Sequence, residues 1–321
     1  MTSPFLDVRV ARRLEETPDI TTFELVSPDG GRLPAFCAGA HIDVAVPGGW
    51  VRPYSLCNHP QERHRYLIGV LKEAAGRGAS RAMHERVREG DLLRIGAPRN
   101  HFALAHGASR SLLLAGGIGV TPILCMAEQL AATGAAFEMH YCARSRDRAA
   151  FVDRIGQSPF AARVHHHFDD GAPGQRLDLA TLFAGDDRGT HAYVCGPQGF
   201  VDAVLGAARR AGWAEERLHC ELFSTEARPA AGESAFEVTL ASTGQVIAVP
   251  ADRTVAQALA DAGFLVPTSC EQGLCGTCLT RVLEGVVDHR DLFLTPEEQA
   301  ANDRFTPCCS RAKSRVLVLD L

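Results

Sequence analysis

The stretch CEQGLCGTC, residues 270–278, places three cysteines five and three positions apart, and a cysteine pair follows at 308 and 309. C-x4-C-x2-C with a distant fourth cysteine is the plant-type spacing for a 2Fe-2S cluster, in which four thiolates surround two irons. Gly273 and Gly276 fit this interpretation, because side chains there would crowd the N–H groups that hydrogen-bond cluster sulfur. A zinc site or simply buried thiols are the alternatives, but zinc loops favour paired C-x2-4-C units and this chain has one.

The spacing therefore predicts Cys270, Cys275 and Cys278 as iron ligands, since a tight loop supplies three thiolates. Cys308 and Cys309 compete for the fourth position, and spacing alone does not choose because the third interval of the pattern is variable. If the pair lies in extended backbone, adjacent side chains point to opposite faces. We then expect only one of the two thiols to reach the cluster.

Length and composition limit the class of protein. A chain of 321 residues exceeds what one hydrophobic core usually serves, so two or three domains are expected. The amino terminus carries charges where a signal peptide would be apolar, and Ser111–Ala127, the longest charge-free stretch, is shorter than a membrane span and rich in glycine. Eleven cysteines, an odd number, argue against a complete disulfide framework. We expect a cytoplasmic protein without a membrane or nucleic-acid partner.

The net charge of −5 is unevenly spread along the chain. Residues 1–232 hold 26 Lys and Arg against 26 Asp and Glu, whereas residues 233–321 hold 7 against 12. The whole excess therefore lies in the last segment, which suggests a separate module with its own docking partner. An acidic surface that serves only solubility would give the same count.

Three domains are predicted from the rhythm of the apolar runs. Short alternating runs broken by Gly, Pro and Asn in residues 1–105 predict an antiparallel β-barrel. Apolar strands alternate with helical segments in residues 106–228, which predicts an α/β domain with a parallel sheet. The stretch EARPAAGES is a predicted linker, and residues 233–321 then combine a hairpin, a helix and the cysteine loop in an α+β domain.

A glycine-rich junction, LLLAGGIGVTPIL, follows a strand and opens a helix in the middle domain. We expect Thr121 to cap that helix and Gly117 and Gly119 to let a phosphate approach backbone N–H groups. The departure from G-x-G-x-x-G disfavours an ordinary dehydrogenase domain. A second junction, YVCGPQGF, presents Cys195 and Gly196, and two such junctions can flank one nucleotide. Tight structural turns and a small buried cysteine are the alternatives.

The first domain offers groups that suit a flavin. RPYSL, residues 52–56, combines a guanidinium for phosphate, an aromatic face for stacking and a hydroxyl for the ring edge. GRGAS, residues 76–80, precedes the helical pattern RAMHERV and predicts a helix start that can bind an anion. Surface packing of an Arg beside a Tyr is the alternative for the first of these motifs.

In this order, RPYS from Arg52, GGIGVTP from Gly116, CGP from Cys195 and the cysteine loop resemble the phthalate dioxygenase reductase family, especially its vanillate O-demethylase reductase branch. The resemblance covers essentially the whole chain and implies FMN rather than FAD, NADH, and a β-grasp ferredoxin domain at the end. It implies that the cofactor-binding residues are Arg52, Tyr54, Ser55, Val70, Lys72, Gly78, Ala79, Ser80, Arg81, Gly117, Gly119, Thr121, Cys195, Gly196, Pro197 and Phe223.

The resemblance also implies individual roles. Gly78–Arg81 would lie near the flavin phosphate, although the family commonly has a small residue where Arg81 stands. Thr121 would lie where FMN and NAD meet, and Phe223 would cover the isoalloxazine face. The closing segment PCCSRAKS is similar to the family's, and that alignment selects Cys308 as the fourth ligand and leaves Cys309 as a packing residue.

The implied function is electron transfer from NADH through FMN and the 2Fe-2S cluster to a Rieske-type oxygenase component, by a monomer. Such chemistry belongs to the cofactors, so no catalytic acid, base or nucleophile is expected. A reductase for a haem-thiolate monooxygenase would carry the same motifs. A non-catalytic iron-sulfur carrier or sensor would not need the flavin and nucleotide motifs. The arginines of CARSRDR, residues 142–148, would suit the 2′-phosphate of NADPH, whereas the resemblance favours NADH.

Overall fold

The computed structural model describes residues 5–73, 76, 78–185, 188–223, 234–268, 273, 276–291 and 293–321. The chain divides into two compact units, Met1–Phe223 and Ser224–Leu321. Apart from Ser234, the predicted linker EARPAAGES lies outside the described residues, as do the predicted ligands Cys270 and Cys275. The domain limits 1–105, 106–228 and 233–321 stay predictions.

The first unit begins with an antiparallel barrel. Its elements are β1 (Leu6–Thr17), β2 (Ile20–Val26), β3 (Ala40–Val46), β4 (Trp50–Ser55), β5 (Tyr66–Leu71), α1 (Ala79–Arg86), β6 (Leu92–Ile95) and β7 (Arg99–Asn100). The strand order is β4-β3-β6-β1-β2-β5, with β7 paired to β3. A bridge between Leu56 and Ile68 joins the end of β4 to β5 and closes the circle. Inward-facing apolar residues such as Val8, Phe23 and Ile42 are fully buried, as the alternating pattern predicts.

A five-stranded parallel sheet follows in the same unit. Its elements are β8 (Arg110–Gly116), α2 (Val120–Ala132), β9 (Phe137–Ala143), α3 (Val152–Gly156), β10 (Val164–Phe168), α4 (Leu179–Phe183), β11 (Thr190–Gly196), α5 (Gln198–Arg210) and β12 (Leu218–Leu222). All five strands are parallel, in the order β10-β9-β8-β11-β12. From β8 the chain first adds β9 and β10 on one side and then returns to add β11 and β12 on the other, so the order of connection reverses between β8 and β11. Ligands of open parallel sheets bind in the crevice at such a reversal. Both predicted junctions follow these two strands.

The capping prediction for Thr121 was wrong. A 3-10 turn at Gly117–Gly119 precedes α2, and Gly119 occupies the cap position. Thr121 lies inside the first turn of α2, and its hydroxyl donates to the carbonyl oxygen of Ile118 at 3.0 Å. The backbone is already helical before Thr121, so its side chain satisfies a carbonyl instead of an N–H group.

The second unit has an α+β arrangement. Its elements are β13 (Phe236–Leu240), β14 (Val246–Val249), α6 (Val255–Asp261), β15 (Thr280–Glu284), β16 (Val287–Asp288), α7 (Pro296–Ala301), β17 (Arg304–Phe305), β18 (Arg311–Ala312) and β19 (Val316–Leu319). The main sheet has the order β14-β13-β19-β15-β17, in which β13 and β19 run parallel. Thr254 and Gln257 form a capping box at the start of α6, and Leu259 buries that helix against the sheet. This mixed sheet confirms the predicted fold class.

No helix within the described ranges is long and apolar enough to cross a lipid bilayer.

Candidate functional site

The two glycine junctions of the parallel sheet touch each other. A Cβ atom on Gly119 would collide with the carbonyl oxygen of Cys195. The ring of Phe200, on α5, lies against both Gly116 and Gly196, where added Cβ atoms would be 2.8 and 2.9 Å from it. The structure therefore brings the predicted nucleotide residues to one crevice, which contains Gly117, Gly119, Thr121, Cys195, Gly196 and Pro197.

The space beside Gly117 is open. This residue has a φ of 54°, a left-handed conformation that glycine adopts without strain. No atom lies within 4 Å of the place where its Cβ would be. On the other side, Pro197 occupies the cap position of α5. The backbone at both helix starts is thus placed to contact a phosphate group, which is what a dinucleotide site needs.

Strand β5 of the barrel forms the wall facing the nucleotide junction. A Cβ on Gly69 would be 2.8 Å from Cγ2 of Thr121 and 3.4 Å from Ile118. The next residue, Val70, is buried, and its carbonyl oxygen lies 2.9 Å from Nε2 of His84. Thr121 is therefore located where the barrel meets the nucleotide junction, and its implied place between FMN and NAD stays a prediction.

A carboxyl group joins the barrel to the edge of the parallel sheet. Ser55, at the end of β4, donates a hydrogen bond to Oε2 of Glu221 at 3.4 Å. Glu221 pairs with Cys195 in the register of β11 and β12. Burial of the carboxyl raises the pKa of Glu221 to about 8, and burial raises the pKa of the Cys195 thiol. Both shifts favour the neutral forms of the Glu221 carboxyl and the Cys195 thiol at neutral pH.

Glu221 is a site residue that was not predicted from the sequence. Its carboxyl group lies within hydrogen-bond reach of Ser55. The signal that could have found it is an acidic residue inside the apolar strand RLHCELF, where a charge is costly. Phe223, which directly follows this strand, packs partly buried against the core of the first unit.

The remaining predicted flavin residues lie on the barrel. Nη1 of Arg52 donates to the carbonyl of Val51 at 2.7 Å. Tyr54 is partly buried, and the burial of its hydroxyl raises its pKa. Nζ of Lys72 lies 3.0 Å from Oε1 of Glu85, on α1. This ion pair turns Lys72 toward α1, and its implied role beside the flavin stays a prediction.

Helix α1 begins at the predicted phosphate turn. Gly78 is its cap residue, with a left-handed φ of 103°, and neither a capping side chain nor an acidic residue of the first turn occupies this helix start. Ala79, Ser80 and Arg81 form the first turn, and the Ser80 hydroxyl accepts a hydrogen bond from the N–H of Glu73 at 3.2 Å. Because the first N–H groups of a helix lack backbone partners, this uncapped end fits the terminal phosphate of FMN.

Three thiols of the second unit lie together. Cys278, Cys308 and Cys309 form a buried cluster with Ala256. Gly273 and Gly276 have left-handed φ values of 75° and 65°. A Cβ on Gly273 would collide with the Cys309 sulfur, and one on Gly276 with the ring of Phe293. A set of buried thiols beside two positions that accept only glycine fits a 2Fe-2S cluster.

The cysteine pair lies in a turn rather than in extended backbone. The N–H groups of Cys309 and Ser310 both donate to the carbonyl of Thr306, at 3.2 and 3.0 Å. The condition of alternating faces that the sequence analysis set is therefore not met, because the turn lets both side chains face inward. The choice of Cys308 over Cys309 stays a prediction.

Two of the three arginines of CARSRDR, Arg146 and Arg148, lie beside carboxylates. Nη1 of Arg148 donates to Oδ2 of Asp19 at 2.6 Å, and Nη2 of Arg146 lies 3.5 Å from Asp153. Asp19 belongs to the turn between β1 and β2 of the barrel. Arg148 thus contributes to the contact between barrel and sheet.

Two family profiles match parts of the chain. Residues 238–313 match the "2Fe-2S iron-sulfur cluster binding domain", and residues 97–218 match the "Dimethylamine monooxygenase subunit DmmA-like, N-terminal domain". The chain is 57% identical over 303 residues to the vanillate O-demethylase oxidoreductase of Pseudomonas sp. (strain HR199 / DSM 7063), which covers 94% of this chain and 96% of that protein.

Two solved structures are similar along nearly the whole chain. Phthalate dioxygenase reductase, described as "a modular structure for electron transfer from pyridine nucleotides to [2Fe-2S]", superposes with a TM-score of 0.81 at 40% identity, over 99% of this chain and 98% of that chain. An intact type IV self-sufficient cytochrome P450 monooxygenase superposes with a TM-score of 0.80 at 40% identity, over 99% of this chain and 41% of that chain.

The barrel, the parallel sheet with its crevice and the iron-sulfur unit define an NADH-dependent oxidoreductase that delivers electrons to an oxygenase. The chain belongs to the phthalate dioxygenase reductase family, and its cofactors are FMN, NADH and a 2Fe-2S cluster. Membership supports the expected electron-transfer function over that of a non-catalytic iron-sulfur carrier or sensor.

Proposed function

We propose that the chain reduces a Rieske-type oxygenase or O-demethylase that acts on an aromatic compound. The observation that carries this proposal is the packing of the barrel on the parallel sheet: Ser55 donates a hydrogen bond to Glu221, and Gly69 of the barrel lies against Thr121, near the point where the sheet order reverses. A relative of nearly the same length is named vanillate O-demethylase oxidoreductase, which favours a separate oxygenase of that kind. Rieske centres have higher reduction potentials than plant-type clusters, so the transfer is downhill.

When bound, FMN takes up the two electrons of a hydride and releases them singly, and the 2Fe-2S cluster carries single electrons. The residues of the chain hold and orient these groups. Arg52 and Gly78–Arg81 would bind the flavin phosphate, and Tyr54, Val70 and Lys72 would line the flavin. Phe223 would cover the flavin ring. Gly117 and Gly119 let the pyrophosphate approach the start of α2.

The uncharged lining of the crevice suits hydride transfer. Burial raises the pKa of Glu221 to about 8 and favours its neutral form at pH 7, although the hydrogen bond from Ser55 to Oε2 acts in the opposite direction. Cys195, buried beside Glu221, stays a neutral thiol. No negative charge of these groups then opposes the approach of a hydride, and the buried side chains exclude water from the path.

In the second unit, the iron ligands are Cys270, Cys275, Cys278 and Cys308. The burial of Cys278 in one cluster with the pair Cys308 and Cys309 supports a ligand set that draws on both segments, and the family's closing segment selects Cys308 from the pair. The domain limits near residues 105 and 228–233 are proposals of the same kind, supported by the barrel strands before residue 101 and the parallel strands from Arg110 onward. A monomer in the cytoplasm, where thiols stay reduced, completes the proposal.

A haem-thiolate monooxygenase is the second candidate acceptor. The observation that favours it is the likeness to a self-sufficient cytochrome P450 monooxygenase, in which the matched region makes up 41% of the chain. The vanillate O-demethylase oxidoreductase favours a separate oxygenase instead, because the matched region makes up 96% of that protein and leaves no room for an oxygenase domain. We therefore rank the Rieske-type partner first.

The test is reconstituted turnover. The purified chain is mixed with NADH, vanillate and the oxygenase component of a vanillate O-demethylase, and loss of vanillate is followed together with NADH oxidation. We expect both to require the chain, and NADPH to support a much lower rate. Turnover with a haem-thiolate monooxygenase but not with the Rieske oxygenase would favour the second candidate. If neither acceptor supported NADH oxidation by the chain, both candidate functions would be contradicted.

A further inference from the structure

A polar contact fixes the end of the proposed flavin strand to a helix of the nucleotide domain. Strand β4 ends at Ser55, and the chain passes through the bridge residue Leu56 to Cys57. Nη2 of Arg154 donates to the carbonyl oxygen of Cys57 at 3.0 Å and to Oε1 of Glu128 at 2.6 Å. Glu128 belongs to α2, the helix that begins at the glycine junction. Through Arg154, the end of β4 is thus linked directly to α2.

Two further contacts hold the same helix against the barrel. The Cys125 thiol donates to the carbonyl oxygen of Asn58 at 3.1 Å. Oε1 of Gln129 accepts a hydrogen bond from the N–H of Ala38 at 3.2 Å. Residues 125, 128 and 129 are three and four positions apart, so they lie on one face of the helix. That face of α2 is the barrel-facing one.

The Arg154 contact is well suited to fix a distance. Its guanidinium is about three-quarters buried and Glu128 more so, and a charge pair removed from water interacts more strongly than one at the surface. The side chain also lies over the ring of Phe151, which limits its rotation. The guanidinium is held by Glu128 on one side and by the Cys57 carbonyl on the other, so it has little freedom to move by itself. A shift of α2 would therefore also move the end of β4.

We propose that Arg154, held by Glu128, is a positioning residue for hydride transfer from NADH: it sets the separation of the flavin strand β4 from the nucleotide junction at the start of α2. This inference rests on the proposed function, which assigns those two segments to FMN and NADH. Thr121 is in the first turn of α2 and Ser55 ends β4. A misplacement of about 1 Å between reacting groups can slow a reaction about a hundredfold.

The experiment compares Arg154→Met with the parent, each as the full chain containing FMN and the cluster. NADH is mixed anaerobically with each protein, and reduction of the flavin is followed by its absorbance. We expect the limiting rate constant to fall about tenfold or more, while the FMN dissociation constant and the half-saturating NADH concentration change less than about threefold. The long-wavelength absorbance that reports stacking of nicotinamide on flavin should also weaken.

The matched control is Arg163→Met. The Arg163 guanidinium likewise donates to a carbonyl oxygen, that of Ala135 at 3.1 Å, and lies over an aromatic ring, that of Phe137. Both of these partners belong to the parallel-sheet region, so this variant should be reduced at the parent rate. A second variant, Glu128→Gln, removes the charge that holds Arg154 and should show a smaller fall in the same direction.

The outcomes are distinct. A folded Arg154→Met protein that is reduced at the parent rate would overturn the inference. So would a variant that loses FMN affinity in proportion to its rate, because that marks a general structural role. If Arg154→Met does not fold, Glu128→Gln decides, and an unchanged rate there overturns the inference. A parent chain whose flavin NADH does not reduce would instead contradict the proposed function.

Discussion

The two units of the molecule build their sites in different ways. In Ser224–Leu321, the proposed iron ligands are residues of one kind at a characteristic spacing, and three of them belong to one stretch of nine residues in the sequence. In Met1–Phe223, the crevice consists of different side chains from distant segments, such as Ser55 and Glu221, which are 166 positions apart. The cysteine site can be predicted from the local sequence. The crevice exists only once the barrel packs on the parallel sheet.

The largest effect is expected for the cysteine pair, which tests the spacing-defined site. Cys308→Ser should lose or severely perturb the visible absorption of the 2Fe-2S centre, because it removes a ligand. Cys309→Val should retain that absorption, since valine can fill the space of a buried packing thiol. The two purified proteins are compared by their visible spectra. The reverse pattern would assign the fourth ligand to Cys309.

A large effect is also expected from Gly119→Ala, which tests the packing-defined site. The added Cβ would collide with the carbonyl oxygen of Cys195, and a backbone atom cannot turn away. The two junctions must separate, so NADH-driven reduction of FMN should slow by about tenfold or more. In the control Gly199→Ala, no atom lies within 4 Å of the added Cβ. Equal rates of flavin reduction in the two variants would show that the junctions need not touch.

A moderate effect is expected from Glu221→Gln, which probes the protonated carboxyl of the crevice. In the folded protein the Glu221 pKa is raised to about 8 from an ordinary value of 4.5. Between these pH values the unfolded chain releases the proton first, so the parent loses stability as pH rises, by at most about 1.4 kcal/mol per pH unit. The variant lacks this contribution.

The unfolding temperature of the parent should therefore fall more steeply than that of Glu221→Gln between about pH 6 and pH 8. Thermal unfolding followed by circular dichroism gives both slopes. Parallel slopes would mean that Glu221 is already ionised in the folded protein, and the uncharged crevice would not exist.

The smallest effect concerns docking of the second unit. Residues 233–321 carry 12 acidic against 7 basic residues, a difference that equals the net charge of −5 of the whole chain. Association with the oxygenase should weaken a few-fold as salt rises, because exposed charges are screened beyond about 8 Å at physiological ionic strength. The apparent Michaelis constant for the oxygenase, measured over a salt series, tests this. A constant value would favour apolar docking instead.

Much of the fold follows from the sequence because its elements have local signals. The alternating runs FLDVRV and HIDVAV became β1 and β3, and the apolar runs SLLLAG and HAYVCG became the parallel strands β8 and β11. Hydrophobic periodicity and glycine junctions are properties of neighbouring residues. The order of the cofactor motifs can likewise be read from the sequence without knowledge of any tertiary contact.

The parts that could not be predicted depend on tertiary contacts or on details of backbone geometry. Glu221 gains its raised pKa only when the barrel buries it beside Ser55. Arg148 pairs with Asp19, which is 129 positions away and which nothing in the local sequence indicates as its partner. The turn before α2 moved Thr121 from the cap into the helix, and another turn replaced the extended backbone considered for Cys308 and Cys309.

The central claim is that electrons pass from NADH through the first unit to the second. Anaerobic titration with NADH, followed by the flavin and cluster absorbances, tests it most directly in the parent and in Cys275→Ser. The parent should take up about three electrons, two on FMN and one on the cluster, and the variant about two, with flavin reduction intact. Transfer to the oxygenase should be abolished in the variant. A Cys275→Ser protein that lacks the cluster yet supports oxygenase turnover at the parent rate would contradict the account.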